Sequence, residues 1–352
     1  MPEVTLEELG GWPFVLARLV AAEDLTSVQA GAALTGILEG RATPAQIAAF
    51  MVALRMKGET VEEMTGLVGA MLSFAEPVPT VGDVIDTCGT GGDGSHSINV
   101  STIASFVAAG AGAVVCKHGN RAASSATGSA DLLEALGVAI DLGPAGVARC
   151  LEEAGMGFCF AVRFHPAMRH AGLPRREVGI PTVFNYLGPL ANPARPKRQF
   201  VGVSDARMAE KMIGVLQANG AEHAIVAYGH DGLDELTTTT TSTAMELVDG
   251  RVRTYAVDPA ALGLPTATID DLRGGDPATN ARLARAVLEG EVGPHRDIVL
   301  LNAAASLVVA DIASDLADGL HRAASSIDEG LAASVLDRLV ATSQAAAQAE
   351  SD

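Results

Sequence analysis

Apolar positions recur at helical spacing through the first part of the chain. Leu16, Leu19 and Val20 form one such set, and Ile47, Phe50, Met51 and Leu54 another. The stretches DLTS at 24–27 and ATP at 42–44 supply helix start signals, with Pro44 tolerated in a first turn. The first 76 residues therefore read as a small all-helical domain, and the segment EPVPTVG at 76–82 breaks the pattern and marks a boundary.

From Val84 the rhythm changes to short apolar runs alternating with helices. Val84 and Ile85 lead as a strand into a glycine loop, and Ile103 to Ala109 follow as a helix. Ala113 to Cys116 form a second strand-like run. A polar loop comes next, then a short helix from Leu132 to Leu136 closed by Gly137. Phe158 to Val162, Phe200 to Val203 and Ala224 to Ala227 read as buried strands. Met245 to Val248 and Val252 to Val257, joined by Asp249-Gly250, read as a hairpin. The tail from about residue 295 is helical and alanine-rich, and Thr237 to Thr241 form the one low-complexity spot. The alternation predicts an α/β fold, with a larger domain at 83–345 built on a mostly parallel central sheet covered by helices.

Composition narrows the function. With 48% hydrophobic residues the chain can offset its ordering entropy, which excludes disorder as the main state. A formal charge of −18 argues against a nucleic-acid partner, and any phosphate must be held by local donors or a metal against the global field. Cys88, Cys116, Cys150 and Cys159 show no paired spacing and fit a reducing cytosol. The acidic start MPEVTLEELG lacks the order of a signal peptide. No apolar run approaches the eighteen or so residues of a membrane span, so the expected location is cytoplasmic with no membrane partner.

Four loops carry candidate chemistry. The first, DTCGTGGDGS at 86–95, lies between a strand and a helix, and Gly89, Gly91 and Gly94 satisfy G-x-G-x-x-G. A dinucleotide site expects an acidic residue about 20 positions later, yet none occurs between Asp93 and Asp131. Asp93 would also repel a facing pyrophosphate unless a cation or sugar hydroxyl intervenes. One or two glycines would be explained by turn geometry, but so dense a set suggests a backbone bared for close ligand approach. The second loop, SINVST at 97–102, offers hydroxyls and amides ahead of a helix, which serve equally as caps or as an anion site. The third, KHGNRAASS at 117–125, gathers Lys117 and Arg121 at the carboxyl end of a predicted parallel strand, suited to neutralising a polyphosphate. The fourth, GHDGLDEL at 229–236, carries adjacent Asp234 and Glu235. Such a pair is either solvated surface or, if it faces Ser101 and Lys117, a magnesium site.

Together these loops resemble the anthranilate phosphoribosyltransferase family of tryptophan biosynthesis. The matching pieces are GTGGD at 89–93, NVST at 99–102, KHGNR at 117–121, GLDE at 232–235 and RREVGIPTVFNYLGPL at 175–190, in order and from the N-terminal helices to at least residue 255. The resemblance implies substrates bound between the two domains, a chain that returns to the helical domain at about 170–185, and a homodimer through that domain. It also implies transfer of the 5-phosphoribosyl group from 5-phosphoribosyl 1-diphosphate to the amine of anthranilate, with Mg2+. By likeness, Gly89, Gly92, Asp93, Ser97, Asn99, Val100, Ser101, Thr102, Lys117, His118, Gly119, Asn120, Arg121, Ala122, Ala123, Ser124, Ser125 and Ser129 hold the donor. Gly89, Asn120 and Arg175 resemble anthranilate contacts, Ser101, Asp234 and Glu235 resemble the metal ligands, and Lys117 and Asp93 stand as the catalytic candidates.

The residues agree physically with these roles. Loss of diphosphate leaves positive charge on the anomeric carbon, so neutralising the leaving group is the main need, and an aromatic amine requires no strong base. His118 is a candidate base or a backbone-positioning residue, and Arg175 a carboxylate fork or a surface partner of Glu177. The spacing of His165 and His170 suggests a metal pair, but Pro166 disfavours regular helix and no third ligand is evident. Met168 and Pro174 depart from the commoner family pattern in the acceptor region. Rival readings are a pyrimidine nucleoside phosphorylase of the same fold, a non-catalytic nucleic-acid-binding relative, and a dehydrogenase.

Overall fold

The computed structural model describes residues 4–80, 82–122 and 126–351. Helices α1 (Gly11–Val20), α2 (Ser27–Leu38), α3 (Pro44–Lys57) and α4 (Val61–Ser73) come first. Thr26, Thr43 and Thr60 each open a helix with a reciprocal capping box, closed by Gln29, Gln46 and Glu63. The chain then runs through β1 (Ile85–Gly89), α5 (Val100–Gly110), β2 (Val115–Gly119), α6 (Ser129–Leu136), α7 (Pro144–Ala154) and β3 (Met156–Phe160). Next come α8 (Ala161–Phe164), α9 (Arg169–Val178), α10 (Phe184–Leu187), β4 (Arg198–Gly202), α11 (Ala206–Ala218) and β5 (His223–Gly229). The hairpin β6 (Ser242–Val248) and β7 (Arg251–Val257) precedes α12 (Pro277–Leu288), α13 (Pro294–Val309), α14 (Leu316–Asp328) and α15 (Leu331–Ser351). The hairpin turns on Asp249 and Gly250, both at positive φ (50° and 73°), as a two-residue turn of this hand requires.

Among the described residues the strands form one sheet in the order β3-β2-β1-β4-β5-β6-β7, parallel from β3 to β5 and antiparallel beyond. The chain winds outward from β1 to β3, then crosses back to place β4 on the other side of β1. The loops leaving β1 and β4 therefore diverge, and a cleft opens at their carboxyl ends. Side chains alternate between two cores along the strands. Phe200, Ile225 and Ala227 face one, with α5 and α13; Val201, Ala224 and Val226 face the other, with α11 and the N-terminal helices. In the second core α9 packs on α2 and α3.

Four strand and helix limits near the cleft differ from the hydrophobic pattern. β1 and β2 continue to Gly89 and Gly119 because Asp86, Thr87, Lys117 and His118 are buried polar residues of the strands. Asp86 accepts from His118 N (3.2 Å) and from Asn192 Nδ2 (2.9 Å), so the buried carboxyl is satisfied. β3 stops at Phe160, and Val162, 60% exposed, belongs to α8. The helix expected from Ile103 begins at Val100, so Ser101 and Thr102 lie inside its first turn.

His223, the first residue of β5, is buried between Glu246 (Nε2 to Oε1, 3.0 Å) and Asp311 (Nδ1 to Oδ1, 2.9 Å). Burial opposes its charge, but the hydrogen bonds to Glu246 and Asp311 outweigh it and hold the imidazole above its ordinary pKa. That stabilisation is complete below the imidazole's ordinary range of about 6.5 and is lost as pH rises through the higher folded value. Thermal unfolding between pH 6 and pH 9 should show a steeper fall of Tm in wild type than in His223→Gln; parallel slopes would mean that the ring is neutral.

Candidate active site

The glycine loop begins where β1 ends. Gly91, Gly92 and Gly94 have φ of 69°, 79° and 69°, and a Cβ on any of them would meet nothing within 4 Å. Backbone conformation demands these glycines, and the space where side chains would stand is left clear for a ligand. Gly89 is different. A Cβ there would stand 2.2 Å from Asp234 Oδ2, and a Cβ on its strand neighbour Gly202 would stand 1.7 Å from Asp234 O. These two glycines at the carboxyl ends of β1 and β4 are bare so that the acidic loop can lie on the sheet edge. The close approach inferred for Gly89 is thus to Asp234.

Seated there, Asp234 and Glu235 are both buried. Asp234 Oδ2 accepts from Gly91 N (2.6 Å) and Glu235 Oε1 from Ser101 N (3.2 Å), whereas Glu235 Oε2 is buried without a partner. Burial pushes both carboxyls upward in pKa, with Asp93 adding to the effect on Asp234 and Asp234 to that on Glu235. Lys117 is buried beside them, its Nζ donating to Thr87 O (2.5 Å) and Ser101 Oγ (3.2 Å). Among the described residues no cluster of three His, Cys, Asp or Glu side chains could hold a metal unaided. Two charge-deficient carboxylates with an unpartnered oxygen, next to a serine hydroxyl, do suit magnesium, which takes one or two carboxylates and fills its shell with water and substrate phosphate.

The other expected residues divide into those facing this cavity and those serving its walls. Asp93 stays at the loop, accepting from Ser95 N and Oγ, and Ser97 takes a hydrogen bond from Ser95 Oγ. Asn99 occupies the N-cap position of α5 without capping it. Its amide donates to Thr127 O (2.8 Å) and its carbonyl accepts from Asn280 Nδ2 (2.9 Å), which ties the helix start to neighbouring loops. The side chains of Val100 and Thr102 are buried in the wall. Asn120 accepts Arg121 N on its side chain and Ser129 Oγ on its backbone, and Gly119 is pressed on Ser129 Oγ, 2.2 Å from where a Cβ would stand. Arg121 stands at the rim with its guanidinium on Asp131 (2.9 Å) and Glu134 (2.8 Å), so of the two expected cations Lys117 is the one turned inward. Ala122 N donates to Asp131 Oδ2. Ala123, Ser124 and Ser125 lie outside the described residues.

Two cavities meet here. The acidic pair, Lys117 and the glycine loop line one of about 310 Å³. The second, about 450 Å³, is lined by Met168, Arg175, Phe184 and Pro189 among others, and the two share a wall of Cys88, Gly89, Thr90, His118, Asn120 and Asn185. Arg175 lies 5.6 Å over the Phe184 ring and donates at long range to Phe184 O (3.4 Å); Glu177 is not its partner. Burial alone pulls its pKa down, since no carboxylate compensates the charge. His118 places Nδ1 at 3.0 Å from Gly188 O, an acceptor, so that nitrogen carries the proton and Nε2 is a bare, buried acceptor. Burial first and His165 second push its pKa down to about 3. His165, a wall residue of the second cavity, binds Ala191 O through Nε2, and its ring lies 5.1 Å from the His118 ring at a tilt of 55°. Cys88 and Asn185 fall within the quoted motifs but were not singled out among them, and only the fold shows that both line the shared wall.

Comparison with known proteins agrees along almost the whole chain. Residues 14–75 match the helical bundle domain of a glycosyl transferase family, and residues 81–333 match its a/b domain. The anthranilate phosphoribosyltransferase of Acidothermus cellulolyticus is 56% identical over 97% of this chain and 98% of that protein. The chain belongs to the anthranilate phosphoribosyltransferase family. The Arthrobacter sp. member is 53% identical over 94% of this chain and 95% of its own length. Among solved structures of the family, that from Thermus thermophilus superposes with a TM-score of 0.89 at 39% identity, covering 94% of this chain and 99% of that one. The Saccharomyces cerevisiae enzyme, solved in complex with PRPP and Mg, gives 0.88 at 27% identity, covering 95% and 98%.

Gly89→Ala tests the seating of the acidic loop. Displacing Asp234 by the missing space should lower kcat/KM by about 10²-fold, the cost of a misplacement near 1 Å, with the protein still folded. Wild-type kinetics would show that the loop does not need that contact.

Proposed function

We propose that this chain transfers the 5-phosphoribosyl group of 5-phosphoribosyl 1-diphosphate to the amine of anthranilate, giving N-(5-phosphoribosyl)anthranilate and diphosphate. The observation that carries this reading is the junction of two unlike cavities at Gly89, His118 and Asn120. One is polar and carries the acidic pair with Lys117; the other is apolar with an uncompensated Arg175. Family membership and the PRPP and Mg named in a yeast relative support it.

In the reaction the bond from ribose C1 to the diphosphate oxygen breaks, the bond from C1 to the amine nitrogen forms, and the proton of the resulting ammonium is lost to water. The backbone of Gly92 to Gly94, the positive end of the α5 dipole and Lys117 hold the donor's phosphate oxygens as charge builds on them. Ser101, Asp234 and Glu235 are the residues that would hold magnesium, which when bound supplies Lewis-acid neutralisation of the diphosphate. Asp93, at the mouth of the loop, adds negative charge where the ribose turns cationic. Arg175 grips the anthranilate carboxylate against the Phe184 ring. His118 is too weak a base at neutral pH to pull a proton unaided; its bare Nε2 accepts an amine N–H and turns the nitrogen lone pair toward C1.

We further propose a homodimer through the helical domain, supported by exposed Val20, Val28 and Met56 on α1 to α3. A cytoplasmic location is supported by four buried free thiols, and no helix among the described residues is long and apolar enough to cross a membrane.

Loss of anthranilate fluorescence on mixing with donor and magnesium tests the reaction, each component being omitted in turn. Consumption of thymidine with phosphate instead would favour the nucleoside phosphorylase reading. Asp234→Asn with Glu235→Gln should cut turnover by about 10²-fold or more and flatten its magnesium dependence while raising Tm, because two crowded carboxylates are gone. Unchanged kinetics would remove the metal assignment. Arg175→Ala should raise the anthranilate KM roughly 10- to 100-fold, the worth of a charged hydrogen bond. An effect confined to the donor KM would reassign it.

A further inference from the structure

We propose that Asn302 on α13 and Asp231 in the loop after β5 are positioning residues for the acidic pair and set how tightly it takes a divalent cation. The inference rests on the reaction proposed above and extends it to residues outside both cavities.

Asp234 and Glu235 have no regular secondary structure to fix them, and their mutual repulsion favours separation. Their backbone is held from two sides instead. Asn302, fully buried in the middle of α13, accepts from Leu236 N (2.9 Å) and donates to Leu236 O (2.8 Å), with a second donation to Ile298 O (2.8 Å). One side chain thus satisfies both main-chain groups of the residue that follows Glu235. Every residue of α13 from Ile298 to Val309 is buried, so the anchor is rigid. On the other side Asp231 braces the loop across the pair. Its Oδ1 accepts from Leu233 N (3.1 Å), and its Oδ2 accepts from Thr237 Oγ1 (2.7 Å) and Thr239 Oγ1. The threonine run is therefore one limb of a clamp that closes residues 231 and 237–239 around the carboxylates. Thr237 N, donating to Ser242 Oγ (3.0 Å), joins the clamp to β6. Neither Asn302 nor Asp231 lines the two cavities, so neither touches substrate.

The test is Mn2+ binding, read as loss of the free-ion electron paramagnetic resonance signal, with inorganic diphosphate present. Asn302→Leu removes both main-chain partners of Leu236. Asp231→Asn, at an exposed position, keeps the Oδ1 acceptor and loses the acceptor of the two threonines. Half-saturating Mn2+ should rise about tenfold or more in both, the usual cost of losing a partner behind a metal ligand, with the KM for anthranilate unchanged. Wild-type half-saturation in Asp231→Asn overturns the inference whether or not Asn302→Leu folds, and so does an anthranilate KM that moves in step with the metal. Failure of the underlying reaction is distinguishable: wild-type protein would then consume no anthranilate with donor and magnesium.

Discussion

The structure depends on keeping two like charges buried and adjacent at the edge of a sheet. Asp234 and Glu235 sit over the carboxyl ends of β1 and β4, where three conditions coincide. The strand order reverses direction there, so a cleft exists. Gly89 and Gly202 have no side chains, so the acidic loop can descend onto the backbone. Ser101 N and Gly91 N point at the carboxylates, so each has one donor. These donors are too few to satisfy two buried anions, and Glu235 Oε2 is left with none. Such an arrangement costs stability, and its presence at a cleft marks a candidate functional site, which the proposed reading assigns to a cation.

Lys117 belongs to the same electrostatic problem. Its stem runs within β2 and its ammonium lies between Thr87 O and Ser101 Oγ, with Asp86 buried on the strand below. Asp86 is pushed up to about 6 by burial, while Lys117 and the hydrogen bonds from Asn192 and His118 pull the other way. Asn192 reaches both Asp86 and Cys116 O, so a single amide links neighbouring strands under the lysine. The polar residues of β1 and β2 therefore form a charge-balanced layer inside the sheet, and the apolar residues of α5 and α13 pack around it.

This layer explains what the sequence disclosed and what it withheld. The helical start, the alternation of strands and helices and the hairpin at Asp249-Gly250 all follow from local periodicity and turn chemistry, which need no knowledge of partners. The acidic pair, the glycine loop and the lysine loop were visible as residue types in order. The ends of β1 and β2 were not, because hydrophobic periodicity treats Asp86 and Lys117 as exposed, and their partners lie far away in the chain. Gly89 was legible as special, but its close approach to Asp234 was not, since the two lie far apart in the chain. Arg121 looked like half of a phosphate grip, and only folding places Asp131 and Glu134 beside it. His118 was open between base and positioning residue; Gly188 O fixes its tautomer, which a linear reading has no means to supply.

A site made of fixed arginines and lysines would have been the simpler answer to a polyphosphate, so the acidic pair calls for a reason. Permanent cations at that spot would pair with Asp234 and Glu235 and remain neutralised whether or not donor was present. Arg121 illustrates that fate at the rim, held by two carboxylates. On the proposed reading, Asp234 and Glu235 would instead gain their countercharge with metal and diphosphate together, which would make charge balance and binding of the leaving group one event. In a body of formal charge −18, long-range attraction cannot gather an anionic donor. On that reading selection falls on local geometry: the bare backbone of the glycine loop, one buried ammonium and a pair of carboxylates with one oxygen unpartnered.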